Sequence, residues 1–176
     1  MTTHADRTRR VVLLRHAQAQ QDARGPDELR ALTEVGRHQA RWVGQALATA
    51  GFEPEVALVS SAVRTRETWQ LLAEAFEHEV DADVRDELYS ATPGTVLELL
   101  RGVDERVRSV LVVGHEPTIS RSAYLLASED SNESYVDRVT LGIPTATLAV
   151  LELPGPWARL DPQGARLVDV VVAPKH

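Results

Sequence analysis

Five short apolar runs, rich in valine and leucine, recur along the chain and predict the strands of a sheet. They are Val11–Leu14, Val56–Val59, Val110–Val113, Leu148–Leu153 and Leu167–Val172. The first three are nearly continuous runs without a regular polar alternation, which is typical of strands buried on both faces of a parallel sheet.

Between these runs, apolar residues recur at helical spacing. Thr33 is a good N-cap for a helix over 34–50, and Gly51 supplies its stop. Further helices are predicted over 63–76, 94–101 and 117–127, the last with Pro117 at a favoured first position. The alternation of strands and helices predicts a three-layer α/β/α sandwich with a mostly parallel central sheet.

The C-terminal part of the chain has a different pattern. Three segments, Leu148–Leu153, Trp157–Leu160 and Leu167–Val172, are separated by turn sequences rich in proline and glycine. We therefore expect antiparallel strands, or a flap, at one edge of the sheet. A length of 176 residues fits a single domain over 1–176, of which the charged stretch 1–10 is expected to be flexible.

Composition and charge narrow the classes of function. The chain has no cysteine, which excludes disulfides and zinc–thiolate sites, and its net charge of −7 makes nucleic acid or an anionic membrane a poor partner. No apolar stretch approaches the ~18 residues of a membrane span. The N-terminus lacks the roughly 7–15 apolar residues of a signal peptide, so a cytoplasmic location is expected.

Polar side chains follow the three best predicted strands. Arg15 and His16 come after the first, Ser60 and Arg64 after the second, and His115 after the third. Ligands of open α/β sheets bind at the carboxyl ends of the strands, so two arginines and two histidines are expected to meet there. Guanidinium groups bind phosphate oxygens in pairs, a neutral imidazole can attack phosphorus, and a second imidazole can stabilise the transferring oxygens.

These segments resemble the signature of the histidine phosphatase superfamily, the group that includes phosphoglycerate mutases and acid phosphatases. The resemblance covers about Val11 to Leu126. It rests on Arg15-His16, on the L-T-x-x-G-x-x-Q-A segment at 32–40, on a segment at 60–68 similar to S-P-x-x-R-A-x-x-T, and on Gly114-His115-Glu116-Pro117. In the second arginine segment Ser61 replaces the usual proline and Thr65 the usual alanine.

The resemblance implies roles for single residues. His16 would be the nucleophile, Arg15 and Arg64 would bind the phosphoryl group, and His115 would contact the same oxygens. No metal ion or other cofactor is implied. Gln18 is a weaker candidate for lining the pocket. Arg66 is the alternative to Arg64, but the spacing from Ser60 favours Arg64.

The short chain and the G-H-E-P segment are most similar to the small SixA-type phosphohistidine phosphatases. Many superfamily members carry a glutamate general acid in an L-x-E pattern, and Ser90 stands at that position here. Glu87 and Glu116 are the two other candidates for a general acid. A surface carboxylate is the simpler interpretation of Glu87, and a carboxylate at a helix N-terminus that of Glu116.

The sequence therefore predicts a metal-independent phosphatase with a phosphohistidine intermediate. Its substrate would be a phosphorylated molecule, with phosphohistidine in a protein as the leading candidate. A phosphatase of small metabolites is the alternative. A catalytically silent phosphate-binding or interaction module is a third hypothesis, from another class of function.

Overall fold

The computed structural model describes residues 8–22 and 24–175. Within this part, six strands form one sheet: β1 (Arg9–Arg15), β2 (Val56–Ser60), β3 (Ala82–Arg85), β4 (Ser109–Gly114), β5 (Thr147–Leu153) and β6 (Arg166–Val172). Their order across the sheet is β3-β2-β4-β1-β5-β6. The pairs β1–β4, β4–β2 and β2–β3 are parallel, whereas β5 pairs antiparallel with both β1 and β6.

Five helices cover the two faces of the sheet. They are α1 (Glu34–Thr49), α2 (Val63–Ala73), α3 (Pro93–Arg101), α4 (Thr118–Leu126) and α5 (Glu133–Thr140). Apolar side chains of α1 and α2 pack on one face, and those of α3, α4 and α5 pack on the other. The predicted three-layer α/β/α sandwich with antiparallel additions from the tail is confirmed. None of the helices in the described ranges is long and apolar enough to span a membrane.

Local sequence signals account for the helix ends. Thr33 caps α1 as predicted, because its side-chain oxygen accepts a hydrogen bond from the backbone N–H of Gly36 at 3.0 Å. After α1, Gly51 adopts a φ of +73°, a conformation that glycine allows at little cost. Helix α4 begins at Thr118, one residue later than predicted, with Pro117 as the N-cap.

Two glycines let α1 approach its neighbours closely. A Cβ atom on Gly44 would lie 2.1 Å from the carbonyl oxygen of Leu72 in α2, and one on Gly36 would lie 2.0 Å from the carbonyl oxygen of Gln18. Because no side chain fits at either position, α1 packs directly against the backbone of α2 and of the chain that follows β1.

The structure corrects the sequence prediction in several places. In the segment predicted as a strand over 157–160, Trp157–Arg159 form a short 3-10 helix, and the buried indole of Trp157 donates to the carbonyl of Val107 at 2.8 Å. The short strand β3 and the helix α5 were not predicted. Both are short and mostly solvent-facing: β3 has four residues and α5 eight, of which Val139 is the one that is buried.

The stretch 1–10, predicted to be flexible, includes two residues that belong to a strand. Arg9 and Arg10 belong to β1, and the Arg9 guanidinium donates to the carbonyl of Gly155 at 2.9 Å and to the Glu105 carboxylate at 2.8 Å. Those contacts tie the start of the strand to two later loops. The remaining part of that prediction, residues 1–7, lies outside the described residues.

Candidate active site

An open cleft of about 630 Å³ lies at the carboxyl ends of β1, β4 and β2. All four residues singled out in the sequence, Arg15, His16, Arg64 and His115, line it. They meet there because β4 lies between β1 and β2 in the sheet, so the segments that follow these strands are neighbours. The rest of the lining is polar apart from a few small residues; it includes Gln18, Gln21, Asp27, Arg30, Glu116 and Thr145.

His16 is held as a neutral imidazole with a defined tautomer. Its Nδ1 lies 2.7 Å from the carbonyl oxygen of Ala17. A carbonyl oxygen only accepts, so Nδ1 carries the proton and Nε2 keeps a free lone pair. Burial lowers the pKa of His16 to about 3, which keeps the ring uncharged near neutral pH. A neutral ring with a bare Nε2 is the form in which imidazole acts as a nucleophile.

His115 lies beside it, with the centroids of the two rings 5.3 Å apart. Its Nε2 is 2.7 Å from the hydroxyl oxygen of Ser60 at the end of β2. Burial and, after it, the positive charge of Arg64 lower the pKa of His115 to about 4. The ring of Tyr89 packs edge-on against His115 at 5.5 Å.

Arg64, the second residue of α2, is 5% exposed and is fixed by Asp27. Its Nη1 donates to the Asp27 carbonyl at 2.9 Å and its Nη2 to the Asp27 carboxylate at 3.0 Å. That carboxylate also accepts from the Tyr89 hydroxyl at 2.5 Å and from Nε of Arg30 at 2.8 Å. These hydrogen bonds, that of Tyr89 first, hold the pKa of Asp27 well below its usual range, so Asp27 is an ionised anchor for Arg64.

Arg15 ends β1 and is anchored on the opposite side of the cleft. Its Nη1 donates to the carbonyl oxygen of Ile143 at 2.7 Å. Burial lowers the pKa of Arg15, and the nearby carboxylate of Glu116 opposes that shift. Arginine has so high a reference pKa that it remains charged. Arg15 and Arg64 thus supply two oriented cations to one cleft.

Three buried nitrogen atoms of the cleft residues have no hydrogen-bond partner. Within the described residues, six buried side-chain nitrogen or oxygen atoms lack a partner, and three of them are Nε of Arg15, Nε of Arg64 and Nδ1 of His115. Buried polar groups in native proteins are nearly always paired, so each exception calls for an explanation. The two Nε–H groups of Arg15 and Arg64 are thus donors without a protein partner, on residues that line one cleft, as an anion-binding site requires.

The weaker candidates are placed differently. Gln18 lines the cleft, but its side-chain oxygen accepts from the Thr33 hydroxyl at 2.7 Å. Glu116 also lines the cleft, and its oxygens accept from the backbone N–H and hydroxyl of Ser120 and from the N–H of Ile143, as expected for a carboxylate at the start of α4. Glu87 is absent from the lining and pairs with Arg85 at 3.0 Å, and Ser90 is exposed.

Arg66, the alternative to Arg64, is exposed on α2 and does not line the cleft. Across 8–22 and 24–175, no group of three or more histidine, aspartate or glutamate side chains is arranged to hold a metal ion.

Sequence reasoning missed the anchors of the site. Asp27, Arg30 and Tyr89 were not singled out, because the hydrogen bonds that tie Asp27 to Arg64 and to Tyr89 join residues 37 and 62 positions apart along the chain. The one local signal for Asp27 is its place in a Gly-Pro-Asp turn within the connection between β1 and α1.

Thr68, which the sequence analysis included only as part of the segment at 60–68, connects the two sides of the site. Its hydroxyl donates to the carbonyl of Arg64 at 2.7 Å and accepts from the N–H of Ala17 at 3.0 Å. The carbonyl of Ala17 in turn holds the His16 ring.

Comparison with known proteins identifies the class. The family model of the histidine phosphatase superfamily (branch 1) matches residues 11–100, so the chain belongs to that superfamily. An uncharacterized protein of Mycobacterium tuberculosis is 37% identical over 158 residues, which cover 88% of this chain and 96% of that protein.

Two solved structures extend this likeness to the whole fold. A candidate phosphohistidine phosphatase SixA from Nakamurella multipartitia is 30% identical, with a TM-score of 0.81 and coverage of 94% of this chain and 96% of that one. Its counterpart from Agrobacterium tumefaciens is 33% identical, with a TM-score of 0.78 and coverage of 93% and 97%. The resemblance to SixA-type proteins seen in the sequence is confirmed.

Proposed function

We propose that this protein is a phosphatase in which His16 carries the phosphoryl group between substrate and water, and that its substrate is phosphohistidine in a protein. The observation that carries the proposal is the protonation state of His16 and its place in the cleft. It is neutral, its Nδ1 is tied to a carbonyl, and its bare Nε2 belongs to a ring that lines a cleft with two arginines. Membership of the histidine phosphatase superfamily supports the same chemistry.

The reaction has two displacements. Nε2 of His16 attacks phosphorus, the bond from phosphorus to the leaving group breaks, and its electron pair goes to the leaving atom. Water then attacks the phosphorus on His16, the P–Nε2 bond breaks, and phosphate leaves with His16 neutral again. Arg15, Arg64 and His115 would bind the equatorial oxygens and stabilise their charge in both transition states. The unpaired Nε–H groups of Arg15 and Arg64 and the unpaired Nδ1 atom of His115 support this assignment.

The carboxylates around the site favour a leaving group that departs without a proton from a general acid. Ser90 stands where many relatives of the superfamily carry an acid, Glu87 is paired with Arg85, and Glu116 is engaged by Ser120 and Ile143. An alkoxide is a strong base and normally needs a proton as it departs, whereas imidazole has a conjugate-acid pKa near ~6.5 and leaves readily once protonated. This difference supports phosphohistidine over a phosphate ester.

The similarity to the SixA-type proteins is a second support for that substrate, since two solved structures, at 30% and 33% identity, are named for it. The cytoplasmic location and the lack of nucleic-acid and membrane partners stay predictions from the sequence, as does the independence from metal ions.

Steady-state kinetics on three substrates test the proposal. We expect kcat/KM to fall in the order phosphohistidine peptide, aryl phosphate, alkyl phosphate, with at least about a hundredfold between first and last, because general acid help is worth about 10²–10⁴ in rate. Glu87→Gln and Glu116→Gln, measured alongside, are expected to keep this order.

Two outcomes would contradict the proposal. If alkyl phosphates turn over as fast as phosphohistidine and one glutamine variant loses only the alkyl activity, that glutamate is a general acid and the protein is a small-metabolite phosphatase. If none of the three substrates is hydrolysed while inorganic phosphate still binds, the protein is a phosphate-binding module.

A further inference from the structure

We infer that Ser60 is a positioning residue that fixes the tautomer of His115, so that the Nδ1–H of this ring is the donor offered to the transferring phosphoryl group. The inference rests on the proposed function and deepens it, because it assigns the proton of the second histidine. It starts from one hydrogen bond, between the Ser60 hydroxyl and Nε2 of His115 at 2.7 Å.

The donor in this hydrogen bond follows from counting protons. The Ser60 side chain is fully buried, and within the described residues its hydroxyl has no other partner. If Nε2–H donated to Ser60, the hydroxyl proton would have no acceptor, and Nδ1 would be left as a bare, buried lone pair. If the hydroxyl donates to Nε2, its one proton is used and Nδ1 carries the proton of the ring. The second arrangement leaves fewer buried groups unsatisfied.

The surroundings of His115 prevent both ring nitrogens from being protonated in the free protein. Arg64, Arg15 and Arg30 are the cations that act on the ring, with Asp27 as the opposing anion. The other titratable rings in contact are His16, itself neutral, and Tyr89. With one proton on the ring and Nε2 occupied by the hydroxyl, Nδ1 is the nitrogen that donates.

The backbone of Ser60 is held in position for its hydroxyl to donate to Nε2 of His115. It is the last residue of β2, and its carbonyl oxygen accepts from the Thr65 hydroxyl at 2.7 Å, which secures the turn into α2. The unpaired state of Nδ1 in the buried ring is then explained, because its partner would be a phosphoryl oxygen. Phosphoryl oxygens only accept hydrogen bonds, so the other tautomer would set a lone pair against them.

Nuclear magnetic resonance measures this directly in the unaltered protein. A long-range ¹⁵N–¹H spectrum at pH 7 distinguishes a protonated from a bare ring nitrogen, and we expect His115 to be protonated at Nδ1 and bare at Nε2. In Ser60→Ala the population is expected to shift towards Nε2–H. Ser61→Ala, which alters the neighbouring hydroxyl, serves as the control and is expected to leave the spectrum of His115 unchanged.

Kinetics give a second readout. We expect Ser60→Ala to lower kcat about three- to tenfold with little change in KM, the effect of one hydrogen bond that is used more in the transition state than in the ground state. His115→Ala removes the donor itself and is expected to cost about 10²–10³. Ser60→Thr keeps the hydroxyl and is expected to keep the Nδ1–H tautomer.

Protonation of Nε2 in the unaltered protein would overturn the inference, and so would an unchanged tautomer in Ser60→Ala. A protein that shows the expected tautomer but hydrolyses no phosphoryl substrate would instead contradict the proposed function. The two failures are therefore distinguishable, because the spectrum of the free protein does not depend on turnover.

Discussion

The rings of His16 and His115 lie side by side, 5.3 Å between centroids and tilted by 59°, yet they are anchored through opposite nitrogens. His16 is tied through Nδ1 to the carbonyl of Ala17, and His115 through Nε2 to the hydroxyl of Ser60. One ring therefore keeps a bare Nε2 and the other an Nδ1–H. A nucleophile next to a hydrogen-bond donor is the combination that phosphoryl transfer requires.

Arg64→Lys is expected to lower kcat/KM by about 10²–10³, although the charge is kept. Arg64 uses Nη1 and Nη2 on Asp27 and has its Nε left unpaired, whereas lysine has a single ammonium group and cannot do both. Arg66→Lys on the same helix is the matched control and should stay within about threefold of the unaltered protein. Equal effects of the two changes would show that Arg64 does not bind the phosphoryl group.

The two cleft histidines are expected to remain neutral in mild acid. Burial lowers the pKa of His16 to about 3 and that of His115 to about 4, against about 6.5 for a free imidazole. A ¹⁵N titration from pH 7 to pH 5 should leave the ring signals of both in the neutral form. A midpoint near 6.5 for either ring would show that it is not desolvated as the structure indicates.

The lowered pKa of His16 also makes the free energy of unfolding depend on pH. For His16 the pKa is lower in the folded state, so the unfolded chain binds the additional proton, and the free energy of unfolding falls as the pH drops below about 6.5. Between pH 7 and pH 5 this costs about 2 kcal/mol for one fully neutral histidine. Urea unfolding of His16→Ala should therefore show a smaller decrease over this range. If the free energy of unfolding of His16→Ala decreased over this pH range as much as that of the unaltered protein, the prediction would be contradicted.

Chelators are expected to leave the activity unchanged. Arg15 and Arg64 take the part that a bound cation has in many phosphatases, and no cluster of metal-ligand side chains is found in the described ranges. The measurement is turnover before and after dialysis against EDTA, with magnesium or zinc added back. Loss of turnover in EDTA and its recovery with either metal would show that metal chemistry is used.

Gly44→Ala is expected to destabilise the fold, because its Cβ would lie 2.1 Å from the carbonyl oxygen of Leu72 and α1 would have to move away from α2. Overpacking of this kind costs about 1–3 kcal/mol, or roughly 2–4 °C in Tm for each kcal/mol in a chain of this size. Gly94→Ala in α3 is the control, since its Cβ would meet only the Thr92 hydroxyl at 3.6 Å. Equal melting temperatures for the two variants would contradict this.

Much of the fold and the centre of the site could be predicted from the sequence. The continuous apolar runs identified β1, β2 and β4, and placing Arg15, Arg64 and His115 after them was enough to bring these residues together. The edge strand β3 was missed because it has only four residues and three of them, Val84 included, are exposed.

The anchors could not be predicted, for a different reason. The bonds from Asp27 to Arg64 and from Ser60 to His115 join residues 37 and 55 positions apart, and short side chains at such separations leave no periodic signal. They depend on how the loops after the strands fold over the cleft. The tautomer of His115 depends on the contact with Ser60 and is equally absent from the linear pattern.

The most direct test of the account is to find where the phosphoryl group rests during turnover. Rapid quenching of the enzyme with excess aryl phosphate, followed by mass spectrometry under alkaline conditions, is expected to find a phosphate on His16 that is lost in acid, since phosphoryl groups on imidazole are acid-labile. His16→Ala should form no adduct and show no turnover. Full turnover by His16→Ala, or an acid-stable phosphate on Ser60, would contradict the account.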